Sequence, residues 1–252
     1  DENGSTMLIN ACKSNDTFLA CKILQYPNMI DIGHIDNLGH TAIFWACYNG
    51  MYDVIPDLLS WITRCNIQQP GIYGLTPLMC ACLKQLDDVV LEMLKYPELC
   101  NLSHKDENGN TVLMHAVNTN RLNIVKKIIT FHGLCGIDSI NKENNTALIL
   151  ATKKMYYPIA HILLKHIHKN HVNKDCGQRY AFNILIENIQ KNNLITEPQK
   201  KLIWKIVKYP RFCDFRKTFK HNKNISMILL ELEQLDMVFE ILGLDEYLNI
   251  YA

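Results

Sequence analysis

Ten cysteines and ten histidines in 252 residues are the side chains that could hold a metal ion or attack a substrate, and their spacing decides against both. Structural zinc sites use paired cysteines two to four residues apart. Cys80-x-Cys82 is one residue too tight, and the other cysteines are scattered without such pairs. The densest group of ligand types is His161, His166, His168 and His171, with Cys176 close behind. Helical spacing could gather His161, His168 and His171, but it implies no fixed tetrahedral set across a helix end and a loop, so solvated histidines are expected. No GxxxxGK phosphate loop, GxSxG elbow or HExxH helix occurs. Neither a catalytic centre, a metal nor a cofactor is expected.

The elements that carry these residues repeat. Thr6, Thr41, Thr76, Thr111 and Thr146 stand 35 residues apart, each followed two residues on by an aliphatic residue and five on by Ala11, Ala46, Ala81, Ala116 or Ala151. Two positions earlier lies Gly4, Gly39, Gly74 or Gly109, with Asn144 in the fifth copy, as a left-handed turn requires. Thirteen positions after the threonine an aliphatic doublet begins and a second follows four residues later. Val54/Ile55 with Leu58/Leu59, Val89/Val90 with Met93/Leu94, and Ile124/Val125 with Ile128/Ile129 thus gather on one helix face. Each unit reads as a turn, a short helix and a second amphipathic helix. Cys12, Cys47 and Cys82 share one place in this register and read as small apolar side chains.

Gly74-Leu-Thr-Pro-Leu-Met-Cys-Ala81 resembles the ankyrin repeat, whose turn and first helix carry Gly-x-Thr-Pro-Leu-His-x-Ala. The resemblance covers about residues 1 to 165 and implies an all-α solenoid of about seven helix-turn-helix units with hairpin loops. The units run 1–35, 36–70, 71–105, 106–140, 141–174, 175–217 with an insertion near 188–199, and 218–252 as the C-terminal cap, all in a single domain. Tyr180, Phe182 and Leu185, then Leu202/Ile203 and Ile206/Val207, place the sixth unit; Met227, Leu230, Met237/Val238 and Ile241/Leu242 place the last. Two departures stand out. The period of 35 rather than 33 lengthens the loop between units, where Gln25-Tyr26-Pro27, Lys95-Tyr96-Pro97 and Lys208-Tyr209-Pro210 recur. The family histidine is replaced by Ile9, Phe44, Met79, Met114 and Ile149, which is expected to remove a polar link between hairpins. Asp36 and Asp106 fall where the family uses aspartate for structural hydrogen bonding.

The resemblance implies that a partner protein docks on hairpin tips and first helices. Carried over by register, those places are Leu38, His40, Tyr48 and Asn49, then Ile72, Tyr73, Leu75, Leu83 and Lys84, then Asn110, Asn118 and Thr119. Leu38, Ile72, Tyr73, Leu75 and Tyr48 make an apolar, aromatic run of hot-spot composition where tips should face water. Trp45 instead takes an inward place and is assigned to the core.

The net charge of +1 hides a segregation: −5 over residues 1–152, +12 over 153–223 and −6 over 224–252. Lys201, Trp204, Lys205, Lys208 and Arg211 lead a basic segment, 191–223, that could grip a polyanion or nucleic acid as a second use. A third reading is the substrate-recruiting part of a longer enzyme or ubiquitin-ligase adaptor, since the chain opens on Asp1-Glu2-Asn3-Gly4 with a repeat already under way. Cysteines in a fold that needs no disulfide point to a reducing compartment, cytoplasmic or nuclear. No apolar run approaches a membrane span, and no signal sequence is read. Richness in Ile, Asn and Lys resembles coding in an AT-rich genome; ankyrin proteins of that kind are abundant in large DNA viruses and intracellular bacteria, where a host-directed adaptor is the expectation.

Overall fold

Each of the five phased threonines caps a helix. Thr6, Thr41, Thr76, Thr111 and Thr146 are extended, and their Oγ1 atoms accept from the backbone N–H of Ile9, Phe44, Met79, Met114 and Ile149 at 3.2–3.4 Å. Such a cap satisfies an otherwise orphaned donor and is worth about 1 kcal/mol. The helices so opened are α1 (Met7–Lys13), α3 (Ala42–Asn49), α5 (Pro77–Leu83), α7 (Val112–Asn118) and α9 (Ala147–Lys153), each followed by a partner: α2 (Thr17–Leu24), α4 (Ile55–Leu59), α6 (Asp87–Met93), α8 (Leu122–Ile129) and α10 (Tyr157–Lys169). Helix α11 (184–189) and α12 (Glu197–Val207) complete a computed structural model that describes residues 2–169, 184–189 and 195–207. Among the described residues there is no strand.

The first helices also end alike. Nine residues after each threonine, Asn15, Gly50, Gln85, Asn120 and Met155 take φ between 57 and 74°. The next N–H, of Asp16, Met51, Leu86, Arg121 or Tyr156, then reaches back to the carbonyl of the motif alanine at 2.8–2.9 Å. This is the Schellman closure. The alanine therefore serves twice, as a buried small residue and as the acceptor that turns the chain into the second helix.

The chain forms two compact units, Asp1–Asn144 and Asn145–Ala252. In the first, α1, α3, α5 and α7 pack side by side, and α2, α4, α6 and α8 form a second row. The doublets read from the sequence are all buried there. The longer period is absorbed between repeats, where Pro27–Met29 and Pro97–Leu99 form 3₁₀ turns directly after Tyr26 and Tyr96. Cys65, Cys100 and Cys135 occupy one place 35 residues apart in these loops and are fully enclosed. They are not scattered, as the sequence reading had it, but plug successive loops.

In the second unit, α10 packs on α9 and α12. Gln199 ties the start of α12 down: its Oε1 accepts from the Thr196 backbone N–H at 2.8 Å and from the Thr196 hydroxyl at 2.9 Å, and its amide donates to the Tyr157 hydroxyl at 3.0 Å. Helix α12 thus begins at Glu197, inside the stretch read as an insertion, and buries Leu202 and Ile203 as expected. Leu185 is also buried. Tyr180, Phe182 and the whole of the expected 218–252 cap lie outside the described residues.

Candidate functional site

The hairpins between repeats are built by acceptor side chains. Asp36 Oδ1 accepts from the N–H groups of Leu38 and His40 at 3.0 and 2.8 Å, and Asp106 Oδ1 from those of Asn108 and Asn110 at 2.9 and 2.7 Å. Burial alone would raise the Asp106 carboxyl, but hydrogen bonds from His115 Nε2 at 2.9 Å and from Asn110 outweigh it and hold the pKa below the usual value. Asp36 is lowered likewise, burial being outweighed by the His40 N–H, Ser5 and the Leu38 N–H. The aspartates are structural, as read.

Successive hairpins are stitched by backbone, Asn37 N–H to Asn3 O, Glu107 N–H to Tyr73 O and Lys142 N–H to Asn108 O, each 2.9 Å. Side chains add a second stitch: His34 Nε2 donates to Gly4 O at 2.7 Å, Gln69 Nε2 to Gly39 O at 3.2 Å and His104 Nε2 to Gly74 O at 2.9 Å. A polar link between hairpins is therefore present, supplied from two residues before hairpin positions 36, 71 and 106. The turn glycines make room for it. At Gly74 and Gly109 φ is 68 and 78°, and a Cβ would come within 3.1 Å of the next hairpin's backbone.

The second repeat departs from this plan. Phe44, at the family histidine's place, lies against Gly71, which stands where the other hairpins have Asp36, Asp106 or Asn141. A Cβ on Gly71 would fall 2.5 Å from the Phe44 ring. The two departures are one exchange: the aromatic ring fills space that an acidic side chain would take. Around Phe44 gather His40, stacked at 5.7 Å, Trp45, edge-on at 5.5 Å, and Tyr48 at 5.8 Å. Trp45 is 7% exposed, in the core as expected, and its Nε1 has no acceptor among the described residues.

The expected docking residues now divide. Leu38 and Tyr73, on the hairpins, are 59% and 60% exposed, and Leu83 and Lys84, at the end of α5, are exposed too. Tyr48, Asn49, Ile72, Asn110, Asn118 and Thr119 are half-buried. His40 and Leu75 are buried and must be struck from the surface. The residue before the capping threonine is buried at Ser5, His40, Leu75 and Asn145, and His40 packs against Phe44 and Trp45. Sequence reading missed Ile35 and Ile140, both exposed one residue before the hairpin acceptor; the register of Asp36 and Asn141 would have found them.

Of the basic segment, Lys201 is exposed on α12, Trp204 and Lys205 belong to the same helix, and Lys208 and Arg211 lie outside the described residues. His161, His166 and His168 are on α10, while His171 and Cys176 are outside. No group of three or more metal-ligating side chains occurs among the described residues. Burial pushes the Cys12, Cys65, Cys80 and Cys100 thiols up to about 12, so they are protonated packing groups rather than nucleophiles. An open depression on the first repeat, lined by Ser5, Met7, Asn10, Lys13, Ser14 and Leu19, contains no cluster of titratable groups. No helix among the described residues is long and apolar enough to cross a membrane.

Capped helix pairs in fixed phase, stitched hairpins and a buried aliphatic seam define an all-α repeat solenoid with a surface for contact. The chain carries ankyrin repeats: the family described as ankyrin repeats (3 copies) matches residues 56–134 and 78–176. The crystal structure of the ankyrin repeat domain of Bcl-3, a unique member of the IkappaB protein family, is similar with a TM-score of 0.63, over 93% of this chain and 99% of that one. At 17% identity the likeness is one of fold. None of the curated proteins matches the sequence. Ankyrin repeats generally act as protein–protein interaction scaffolds, typically without catalysis.

Proposed function

We propose that this chain is a non-catalytic adaptor that docks a partner protein on the hairpin and first-helix face of its first four repeats. Tyr73 carries the reading. Its φ of 59° puts a bulky aromatic residue in the left-handed region, at a cost on the order of 1 kcal/mol, while its ring is 60% exposed. An exposed ring in a costly conformation returns little to the core. It suits a surface that presents the ring to something else, and the exposed Leu38, Ile35 and Leu83, with the half-buried Ile72, add apolar area on the hairpins and first helix. Because the hairpins are stitched, the face is preformed and loses little freedom on binding. A host-directed role in a reducing cytoplasm or nucleus fits the protonated thiols, and recruitment for a longer enzyme uses the same face.

Capture from cell lysate by the full chain and by a Leu38→Ala/Tyr73→Ala variant, compared by quantitative mass spectrometry, tests this. Proteins bound by the first and lost by the second, with melting temperatures within about 2 °C, are expected, since exposed side chains contribute little to stability. Identical captures would refute the assignment of the face.

A further inference from the structure

The five first helices with their closing turns, residues 6–14, 41–49, 76–84, 111–119 and 146–154, contain no aspartate or glutamate. In the first compact unit the carboxylates lie outside these stretches, on hairpins, loops and second helices, with Asp16 three residues past Lys13 and Asp87 three residues past Lys84. In that unit the lysines on these stretches are Lys13 and Lys84, both exposed. Lys13 Nζ sits 5.6 Å from the centre of the Trp45 ring, and Lys84 Nζ 5.7 Å from that of Tyr48. The two rings meet edge-on at 5.7 Å, so two ammonium groups flank one aromatic platform. Neither forms an ion pair among the described residues, whereas Lys95 pairs with Glu92 and Arg121 with Asp87 on the second-helix side. Asn49 Nδ2 donates to Cys12 O at 2.8 Å, fixing the end of α1, and hence the Lys13 stem, against α3.

We propose that the partner enters this face as an extended acidic segment, its carboxylates on Lys13 and Lys84 and an apolar side chain between them on Tyr48. The proposal rests on the docking reading above and names the chemistry of its occupant. The two cation–ring distances and the ring–ring distance bound the gap between the ammonium groups, so no more than about five residues of extended chain, at roughly 3.3 Å each, are needed to bridge them. Cations that lean on rings and form no ion pair among the described residues remain open to an incoming carboxylate. The exposed Leu83, next to Lys84, gives the segment a further apolar contact.

Fluorescence anisotropy on the full chain distinguishes the alternatives, with three labelled probes of equal length: a peptide alternating Glu with Phe and Leu, its Gln counterpart, and a single-stranded oligonucleotide of similar charge. The acidic peptide is expected to bind at least tenfold tighter than the Gln peptide. Lys13→Glu with Lys84→Glu should remove that difference while circular dichroism stays unchanged. Equal binding of the acidic and Gln peptides, or no peptide binding, overturns the acidic partner. So does acidic binding that survives the charge reversal, because it would then lie on the basic segment 191–223. Tighter binding of the oligonucleotide that is lost in the charge-reversed chain also overturns it, assigning the platform to phosphates. Loss of peptide binding in Leu38→Ala/Tyr73→Ala reports separately on the docking face, so failure of either idea is visible without the other.

Discussion

Gly71→Ala is a one-methyl change that should cost far more than a methyl usually does. The added Cβ would lie 2.5, 2.6 and 2.7 Å from Cε1, Cζ and Cδ1 of Phe44, about 1 Å inside van der Waals contact. Phe44 cannot swing away: it is fully buried, with His40 stacked on one side and Trp45 and Tyr48 around it. Relief must come from the hairpin backbone or from the whole aromatic group, and overpacking of this kind costs about 1–3 kcal/mol. At about 2–4 °C per kcal/mol for a chain of this size, the melting temperature should fall by roughly 2–12 °C. Urea unfolding followed by circular dichroism gives the free energy directly. The double-mutant cycle with Phe44→Leu is the decisive part, because a smaller side chain frees the space. A coupling of about 1–2 kcal/mol is expected. Additive costs, or a neutral Gly71→Ala, would refute the claim that the aromatic ring and the missing hairpin aspartate are one exchange.

Asp106 is held ionised by His115 and by two hairpin N–H groups, so its folded pKa lies below the unfolded value near 4. Its contribution is fully present above that value and is lost as pH falls through the lower folded pKa. Asp106→Asn should therefore cost about 1–2 kcal/mol near pH 7, with the difference from wild type shrinking below about pH 4 in a series of urea midpoints. Met155→Gly, at a left-handed position with a half-exposed side chain, should instead stabilise by roughly 0.5–1 kcal/mol, read from the same unfolding curves. Binding of single-stranded oligonucleotides by residues 191–223, which hold ten basic and two acidic groups, should be weak and fall steeply between low and physiological salt. Binding there that ignores salt would contradict a purely electrostatic segment.

The helices were legible because their determinants are local. A capping threonine, a buried alanine and a doublet spaced by four appear in the sequence at the places they occupy in space. The turn at Gly4, Gly39, Gly74, Gly109 and Asn144 was legible for the same reason, and all five have positive φ. What sequence reading missed depends on pairs. The link from His34, Gln69 and His104 joins different repeats through backbone carbonyls, which carry no residue identity to read. The periodic Cys65, Cys100 and Cys135 were overlooked because they fall in loops, where helix register gives no guide. His40 and Leu75 stand at contact positions of the family, yet both are buried, because repeat register fixes a position in the fold and not the direction its side chain takes. With Phe44 and Trp45 beside it, an aromatic partner at position 40 belongs inside.

The central claim, that the hairpin and first-helix face is where the partner docks, is tested most directly by hydrogen exchange on the full chain with and without a captured partner. The account predicts slowed exchange at the amides of Leu38, Tyr73, Leu83 and Lys84, and little change on α2, α4, α6 and α8. Protection confined to those second helices, with the hairpin amides exchanging as in the free chain, would contradict it.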